Sequence, residues 1–209
     1  WETSTDPAIF LYVDPEVGKA QFDNTVSHEL HHIGLASAQA AYNKLAETRP
    51  EKVRPLLNWI GAFGEGEAVL AAAGSPDVEP LSAWPEKHRI RWEQDMTGFS
   101  SQVSILDEFF LDILHGGFAN QETIGHVGSS FFGFRGPWYT VGYKMSVIVE
   151  KRFGRESLIE CMEDPRKLLA RYNEAEVEER KKAGEALPLW SPEVIAALGL
   201  NEKETSGGK

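Results

Sequence analysis

The sequence predicts a mainly α fold with one short β element near its N-terminus. Over most of the 209 residues, apolar side chains recur at spacings of three and four, which is the period of a helix with one buried face. Proline and glycine stand at the limits of these stretches, where helices start and stop. Residues 9–13 differ, because they are rich in β-forming side chains and end at Asp14-Pro15. They are predicted to form a strand.

The first helix is predicted around residues 26–40, where Val26, Leu30 and Ile33 share an apolar side. The Asp-Asn-Thr sequence at 23–25 offers side chains that can cap its N-terminus. Further helices are predicted from Pro55 to Gly74, from Glu86 to His115, from Pro137 to Gly154, after Pro165 and after Pro192. The glycine-rich residues 125–136 are predicted to form a loop that shapes a pocket wall, and the polar residues 201–209 a disordered tail.

Composition is that of a single globular domain. With 42% hydrophobic residues, a chain of 209 residues can bury one core. The net charge of −11 disfavours nucleic acid as a partner and weakly favours neutral or basic peptides. No apolar stretch reaches the length of about 18 residues that a membrane span needs. The single cysteine, Cys161, excludes an internal disulfide and is predicted to be a small core residue.

The segment at residues 28–32 carries the pattern His-Glu-x-x-His. On a helix, residues four apart stand one turn apart on one face, so His28 and His32 can both reach one Zn²⁺ at roughly 2.0–2.1 Å. Glu29 is offset by one position, close enough to contact a water on the metal without binding the metal. This arrangement suits a general base. His31 points off the metal face and is predicted to be structural.

A catalytic zinc needs a third protein ligand and one open position. The extended metzincin pattern is excluded, because Leu35 and Ala38 stand where it requires Gly and His. A carboxylate on a second helix is the other common solution, and residues 63–69 offer Glu65 and Glu67. Glu65 shares a helix face with small residues that permit close packing against the zinc helix, so it is the favoured ligand. Glu67 is the alternative.

These motifs resemble those of the gluzincin metallopeptidases, in which the Glu of a Glu-Gly-x-Ala element on a later helix is the third zinc ligand. The matching residue here is Glu65, although Gly64 replaces the usual Asn. Residues 139–142 match the Tyr-x-x-Gly element that starts a late helix in gluzincin aminopeptidases, which implies that Tyr139 stabilises the oxyanion. The Gly-x-Met-Glu-Asn segment of those aminopeptidases has no counterpart before His28, so aminopeptidase activity is not implied.

The layout over residues 22–175 is also similar to that of a little-characterised bacterial family assigned as zinc-dependent peptidases. The resemblance implies one zincin-like domain, placed at residues 1–200, with the predicted strand or a small sheet at the edge of the cleft. Zincins usually carry a larger sheet-bearing part before the zinc helix, so more of the domain is expected upstream of Trp1. A cytoplasmic and an exported location are both compatible with this expectation.

The sequence therefore predicts a peptide-bond hydrolase that binds one Zn²⁺ per chain through His28, His32 and Glu65. Glu29 is the predicted general base and Tyr139 the predicted oxyanion donor. The expected partner is a peptide or protein substrate, and the oligomeric state is not indicated. Candidate substrate-binding residues are His126, Arg135 and Tyr143. The alternative is a zincin fold kept as a non-peptidase hydrolase or as a metal-binding structural or interaction module. The acid at position 29 favours the hydrolase, because a purely structural zinc site has no use for it.

Overall fold

A computed structural model describes residues 8–10, 14–133, 136–182 and 186–200 of the chain. Within these ranges the regular structure is helical, which confirms the mainly α class. The helices are α1 (Lys19–Ala38), α2 (Ala40–Thr48), α3 (Arg54–Ile60), α4 (Gly64–Ala73), α5 (Glu86–Thr97), α6 (Phe99–His115), α7 (Gln121–Ser130), α8 (Pro137–Phe153), α9 (Arg155–Glu163), α10 (Arg166–Lys181) and α11 (Pro192–Ala197). A 3₁₀ turn at Gly61–Phe63 joins α3 to α4.

The predicted N-terminal strand or small sheet is not seen among the described residues. Residues 8–10 carry no regular secondary structure, and residues 11–13 lie outside the described part. A strand is stabilised by hydrogen bonds to a neighbouring strand. A β-forming segment without such a neighbour does not make these bonds. The β-forming composition of residues 9–13 was therefore insufficient evidence for a sheet at the cleft.

Helix α8 is the centre of the core. It begins with Pro137 at its first position and ends at Gly154, whose φ of 90° lies in the region that favours glycine, so both predicted limits are confirmed. One face is completely buried and consists of Trp138, Val141, Met145 and Val149. Helices α4, α6, α9 and α10 pack around α8. These neighbours account for its burial on several sides.

Two glycines set the distance between α4 and α8. A Cβ atom at Gly66 would overlap the backbone nitrogen of Tyr143 and lie 2.6 Å from the Cα of Gly142. A Cβ at Gly142 would lie 2.5 Å from the carbonyl oxygen of Phe63. Both contacts are too short for any side chain, because the obstructing atoms belong to the backbone. The two helices therefore touch backbone to backbone at this point.

Helix α1 lies at the surface, packed mainly against α4. Leu35 is its buried residue, and Leu30, predicted to face the core, is 55% exposed. The predicted capping role of residues 23–25 is wrong, since α1 already begins at Lys19. Asn24 instead links three segments: its Nδ2 donates to the Ala72 carbonyl oxygen (3.1 Å), and its Oδ1 accepts from Trp84 Nε1 (2.8 Å). The Asn24 side chain thus holds α1 to its neighbours and does not cap the helix.

Two other predicted elements differ from the structure. The helix predicted over residues 86–115 is interrupted at Gly98, which separates α5 from α6. Residues 125–130, predicted to be a loop, belong to α7, where the Asn120 side chain accepts a hydrogen bond from the Thr123 backbone N–H and caps the helix. Among the helices described, none combines the length and the apolar character that a membrane crossing requires.

Candidate metal centre

Helix α1 places two histidine rings side by side. His28 and His32 are one turn apart, and their Nε2 atoms lie 3.1 Å from each other. The ring centroids are 4.8 Å apart and the ring planes are nearly perpendicular. Only about a sixth of each side chain is exposed, 16% for His28 and 17% for His32. The His-Glu-x-x-His spacing therefore produces a convergent pair of imidazole nitrogens.

Helix α4 brings the carboxylate of Glu65 to this pair. Its Oε2 lies 3.3 Å from His28 Nε2 and 3.2 Å from His32 Nε2. The preceding residue makes the approach possible, because a Cβ at Gly64 would lie 2.7 Å from Leu35 Cδ2 of α1. The glycine at the start of α4 thus lets the side chain of Leu35 pack against the α4 backbone, which keeps Glu65 within reach of the imidazoles.

The three ligand atoms have the size and chemistry of a metal centre. They form a nearly equilateral triangle with edges of 3.1, 3.2 and 3.3 Å. A tetrahedral ion with ligands at roughly 2.0–2.1 Å requires ligand atoms about 3.3 Å apart. Two imidazoles and one carboxylate are also the donor set of many catalytic zinc sites. His28, His32 and Glu65 therefore fit a metal ion such as zinc, and they leave room for a further ligand.

The charges at the cluster also favour a bound cation. Burial alone would raise the pKa of Glu65, but the hydrogen bonds with His28 and His32 outweigh burial and lower the pKa to about 2. Burial would lower the pKa of His32, yet the Glu65 carboxylate raises it overall. A negative charge is thus held beside the two rings across the physiological pH range.

Glu67 lies two residues further along α4 in the opposite environment. It is 1% exposed, and burial raises its pKa to about 8. Its Oε1 is buried and has no hydrogen-bond partner among the described residues. Glu65 belongs to the group of residues that could hold an ion, and Glu67 does not. The Glu67 side chain is buried in the interior. The structure therefore brings the favoured carboxylate to the histidines and leaves the alternative in the interior.

Glu29 and Tyr139 both line a cleft of about 250 Å³ beside His28. The Tyr139 ring lies 6.3 Å from the His28 ring, measured between centroids, and the two ring planes are 14° apart. The position of Tyr139 follows from the start of α8 at Pro137 and from the close contact between Gly66 and Gly142. We call this space the first cleft; its walls are completed by Asn24, Thr25, Val69, Leu81, Trp84 and Gly133.

A second cleft of about 260 Å³ also borders the cluster. The ligands that border it are His32 and Glu65, and its remaining walls are Leu35, Gly61, Ala62, Gly64 and Phe132. The segment between α7 and α8 borders both clefts, because Phe132 lines the second and Gly133 the first. This segment is part of the glycine-rich stretch predicted to shape a pocket wall.

The candidate substrate-binding residues are placed differently from one another. Tyr143 packs edge-on against Trp92 and lines a separate surface pocket with Glu79 and Met96, so it does not border either cleft. His126 is exposed on α7 and is not among the described residues that line the clefts. Arg135 lies outside the described residues.

His31 is half-buried and Cys161 is completely buried, and both lie outside the cluster. Burial is the main cause that lowers the pKa of His31 to about 4, so its ring is neutral at physiological pH. Burial likewise raises the pKa of the Cys161 thiol to about 12. An imidazole with so low a pKa is a weak base. A thiol that stays protonated is a poor nucleophile.

The residues between α4 and α5 were missed as part of the site. Leu81 and Trp84 form a wall of the first cleft, and the bond from Trp84 to Asn24 ties this wall to α1. The only signal in the sequence was an aromatic residue within a proline-rich acidic loop. A contact across 60 positions cannot be inferred from such local composition.

The fold and the site define a helical domain with a candidate metal centre of two imidazoles and one carboxylate. The chain belongs to the family described as "Putative zinc dependent peptidase (DUF5700)", whose model matches residues 1–181. No curated protein and no solved structure matches the chain. The family description agrees with the metal type and the reaction expected from the His-Glu-x-x-His motif.

Proposed function

We propose that this protein is a zinc-dependent peptidase of the gluzincin type. The observation that carries the proposal is the triangle of ligand atoms from His28, His32 and Glu65, with edges close to those of a tetrahedral zinc site. Two groups that are not ligands, Glu29 and Tyr139, line the cleft beside it. Such an arrangement supports hydrolysis better than a structural role, because structural zinc sites are usually closed by four protein ligands.

His28, His32 and Glu65 would hold the zinc, which when bound acts as a Lewis acid and lowers the pKa of water. Glu29 takes the proton from the attacking water and passes it to the leaving nitrogen, because its carboxylate lines the cleft without binding at the cluster. The phenol of Tyr139 donates a hydrogen bond to the carbonyl oxygen of the scissile bond as negative charge develops there.

The decisive variant is Glu29→Gln, which keeps the shape of the side chain and removes the base. We expect about one zinc per chain to remain bound, because Glu29 is not a ligand, and we expect turnover of a fluorogenic peptide library to fall about 10²–10⁴-fold. Zinc content is measured by elemental analysis and folding by circular dichroism. Glu47→Gln makes the same chemical change on the exposed surface of α2 and should retain full activity. Wild-type turnover by Glu29→Gln, or a protein that binds no zinc, would refute the proposal.

A further inference from the structure

The two clefts lie end to end along one side of α1. The first is bordered by Asn24, Thr25, His28 and Glu29 of this helix, and the second by His32 and Leu35. These positions share one face at the helical repeat of 100° per residue. From the first to the last of them, α1 rises about 16 Å at 1.5 Å per residue. The metal ligands border both clefts, since His28 lines the first and His32 and Glu65 line the second.

We call the two clefts together the groove. An extended peptide fits its dimensions. A chain in β conformation rises about 3.3 Å per residue, so about five residues span the two clefts. Each cleft by itself, at about 250 and 260 Å³, is smaller than the sites that enclose whole small molecules, which begin at roughly 300 Å³. Each is therefore suited to one or two residues of a longer substrate.

The first cleft has a fixed apolar wall. Leu81 and Val69 contribute buried side chains, and the Trp84 ring is held by its 2.8 Å hydrogen bond to Asn24, which is itself bonded to α4. The Trp84 ring also meets the His88 ring edge-on at 5.5 Å between centroids. A wall of this kind binds an aromatic or large aliphatic side chain without having to reorganise.

One wall of the second cleft is formed by residues with small or no side chains. Gly61, Ala62 and Gly64 line it, and a Cβ at Gly61 would meet no other atom within 4 Å. The backbone of a substrate can therefore lie close to the 3₁₀ turn, on the far side of the metal ligands from the apolar wall. Space for the chain exists on both sides of the scissile bond.

We propose that the substrate is a polypeptide cleaved at an internal bond, with a bulky apolar side chain held against Leu81 and Trp84. This proposal rests on the proposed peptidase function and specifies its substrate. A peptidase that removes single terminal residues must recognise a free terminus. The acidic residues among the described residues of the two clefts are Glu29 and Glu65, both already assigned to the reaction, so neither is available for a terminal amine.

The experiment uses acetylated and amidated peptides of three to eight residues with one central Phe, incubated with zinc-loaded protein and analysed by mass spectrometry. We expect internal cleavage next to the Phe, with kcat/KM rising until about five residues are present and unaffected by blocking the termini. Replacing the Phe with Ser should lower kcat/KM at least about tenfold. Release of single residues only from unblocked peptides would overturn the proposal while leaving the peptidase function standing.

Two variants test the two clefts separately. Trp84→Ala should lower kcat/KM for the Phe peptide at least about tenfold and so reduce the preference for Phe over Ser, whereas Trp84→Phe keeps a ring and should retain most of the preference. Gly61→Leu should be tolerated by the fold, because Gly61 has ordinary helical backbone angles and open space beside it. Its side chain should lower turnover of the eight-residue peptide at least tenfold with zinc content unchanged. Full activity of both Trp84→Ala and Gly61→Leu would contradict the groove.

A binding measurement tests the groove separately from the peptidase activity. Zinc-loaded Glu29→Gln is titrated with the blocked Phe peptide by calorimetry, and we expect a complex that Trp84→Ala in the same background weakens at least about tenfold. Binding without any cleavage by the wild-type protein would contradict the peptidase function and retain the groove. Absence of binding would overturn the groove even if other peptides are cleaved.

Discussion

The α1 helix and the contact between α4 and α8 serve the same site but are built in opposite ways. Helix α1 carries His28, Glu29 and His32, yet it lies at the surface and buries one residue, Leu35. The contact between α4 and α8 supplies Glu65 and Tyr139 from the interior, where two backbones touch at Gly66 and Gly142. The comparison teaches that reactive groups and the geometry that aligns them are carried by different parts of the fold.

This difference predicts separate responses to mutation. Changes at His28, Glu29 and His32 of α1 should alter chemistry with little effect on folding, because few core contacts depend on them. Changes at the contact between α4 and α8 should alter folding first. The predictions below start with the largest expected effect.

Gly66→Ala should have the largest effect. The added methyl group would overlap backbone atoms of Gly142 and Tyr143, so the helices must separate. We expect the free energy of unfolding to fall by about 3 kcal/mol or more, at or beyond the upper end for overpacked cores, and expression to suffer. Urea denaturation followed by circular dichroism measures the change.

The matched control for Gly66→Ala is Gly34→Ala in α1. This is the same substitution in a helix, but its Cβ would meet no atom within 4 Å. We expect it to stabilise the protein by up to about 1 kcal/mol, because alanine favours helix more than glycine does. If both variants lost stability equally, the two regions would not differ in the way proposed.

Glu65→Gln and Glu67→Gln should differ in metal content. The first removes the charged ligand of the cluster, so we expect zinc binding to weaken at least about tenfold and activity to fall with it. The second changes a buried carboxyl whose raised pKa of about 8 keeps it protonated at neutral pH, and zinc should stay bound. Elemental analysis after dialysis against a weak chelator distinguishes them. Loss of zinc from Glu67→Gln alone would reverse the ligand assignment.

Tyr139→Phe should lower turnover about 10²–10³-fold and leave the zinc content and the unfolding curve unchanged. The ring keeps its packing beside His28, and only the hydroxyl donor is lost. The change should appear in kcat more than in KM, because the donor acts on charge that develops during the reaction. Tyr143→Phe, on the same helix but lining another pocket, is the control and should be near wild type.

The two α4 carboxyls should also differ in how the stability of the protein depends on pH. Burial raises the pKa of Glu67 from 4.5 to about 8, so the folded protein keeps a proton that the unfolded chain releases. The free energy of unfolding should therefore fall as pH rises from about 4.5 to 8, by at most about 1.4 kcal/mol per pH unit from this group. Comparing metal-free wild type with metal-free Glu67→Gln isolates the contribution, since the other titrating groups are common to both. An unchanged pH profile in the variant would show that Glu67 is already charged.

Sequence patterns were sufficient where the cause of a structure is local. The limits of α8 at Pro137 and Gly154 follow from the backbone restrictions of these two residue types. The convergence of His28 with His32 follows from the helical repeat alone. The Tyr-x-x-Gly resemblance pointed to Tyr139, which lines the first cleft, and to Gly142, which lies against α4.

Sequence patterns failed where long-range contacts decide the outcome. Leu30 has the spacing of a core residue, but it is exposed because α1 packs through another side. Tyr143 follows Tyr139 by one turn, yet its ring turns towards Trp92 of α5, a helix whose position the spacing cannot reveal. The wall formed by Trp84 depends on a partner in α1, and the predicted strand lacked a neighbouring strand among the described residues.

The exposed position of α1 has a consequence for local stability. An ion that binds only when α1 is docked on α4 favours the docked state by an amount that grows with the logarithm of its concentration. This stabilisation by the ion acts on α1, which carries two of the three ligands. The helix has one buried side chain of its own to hold it in place. The helix α8, buried on several sides, owes its order to the core instead. With the proposed metal bound, we therefore expect its availability to affect how often the α1 backbone opens to solvent, and to affect the core around α8 much less.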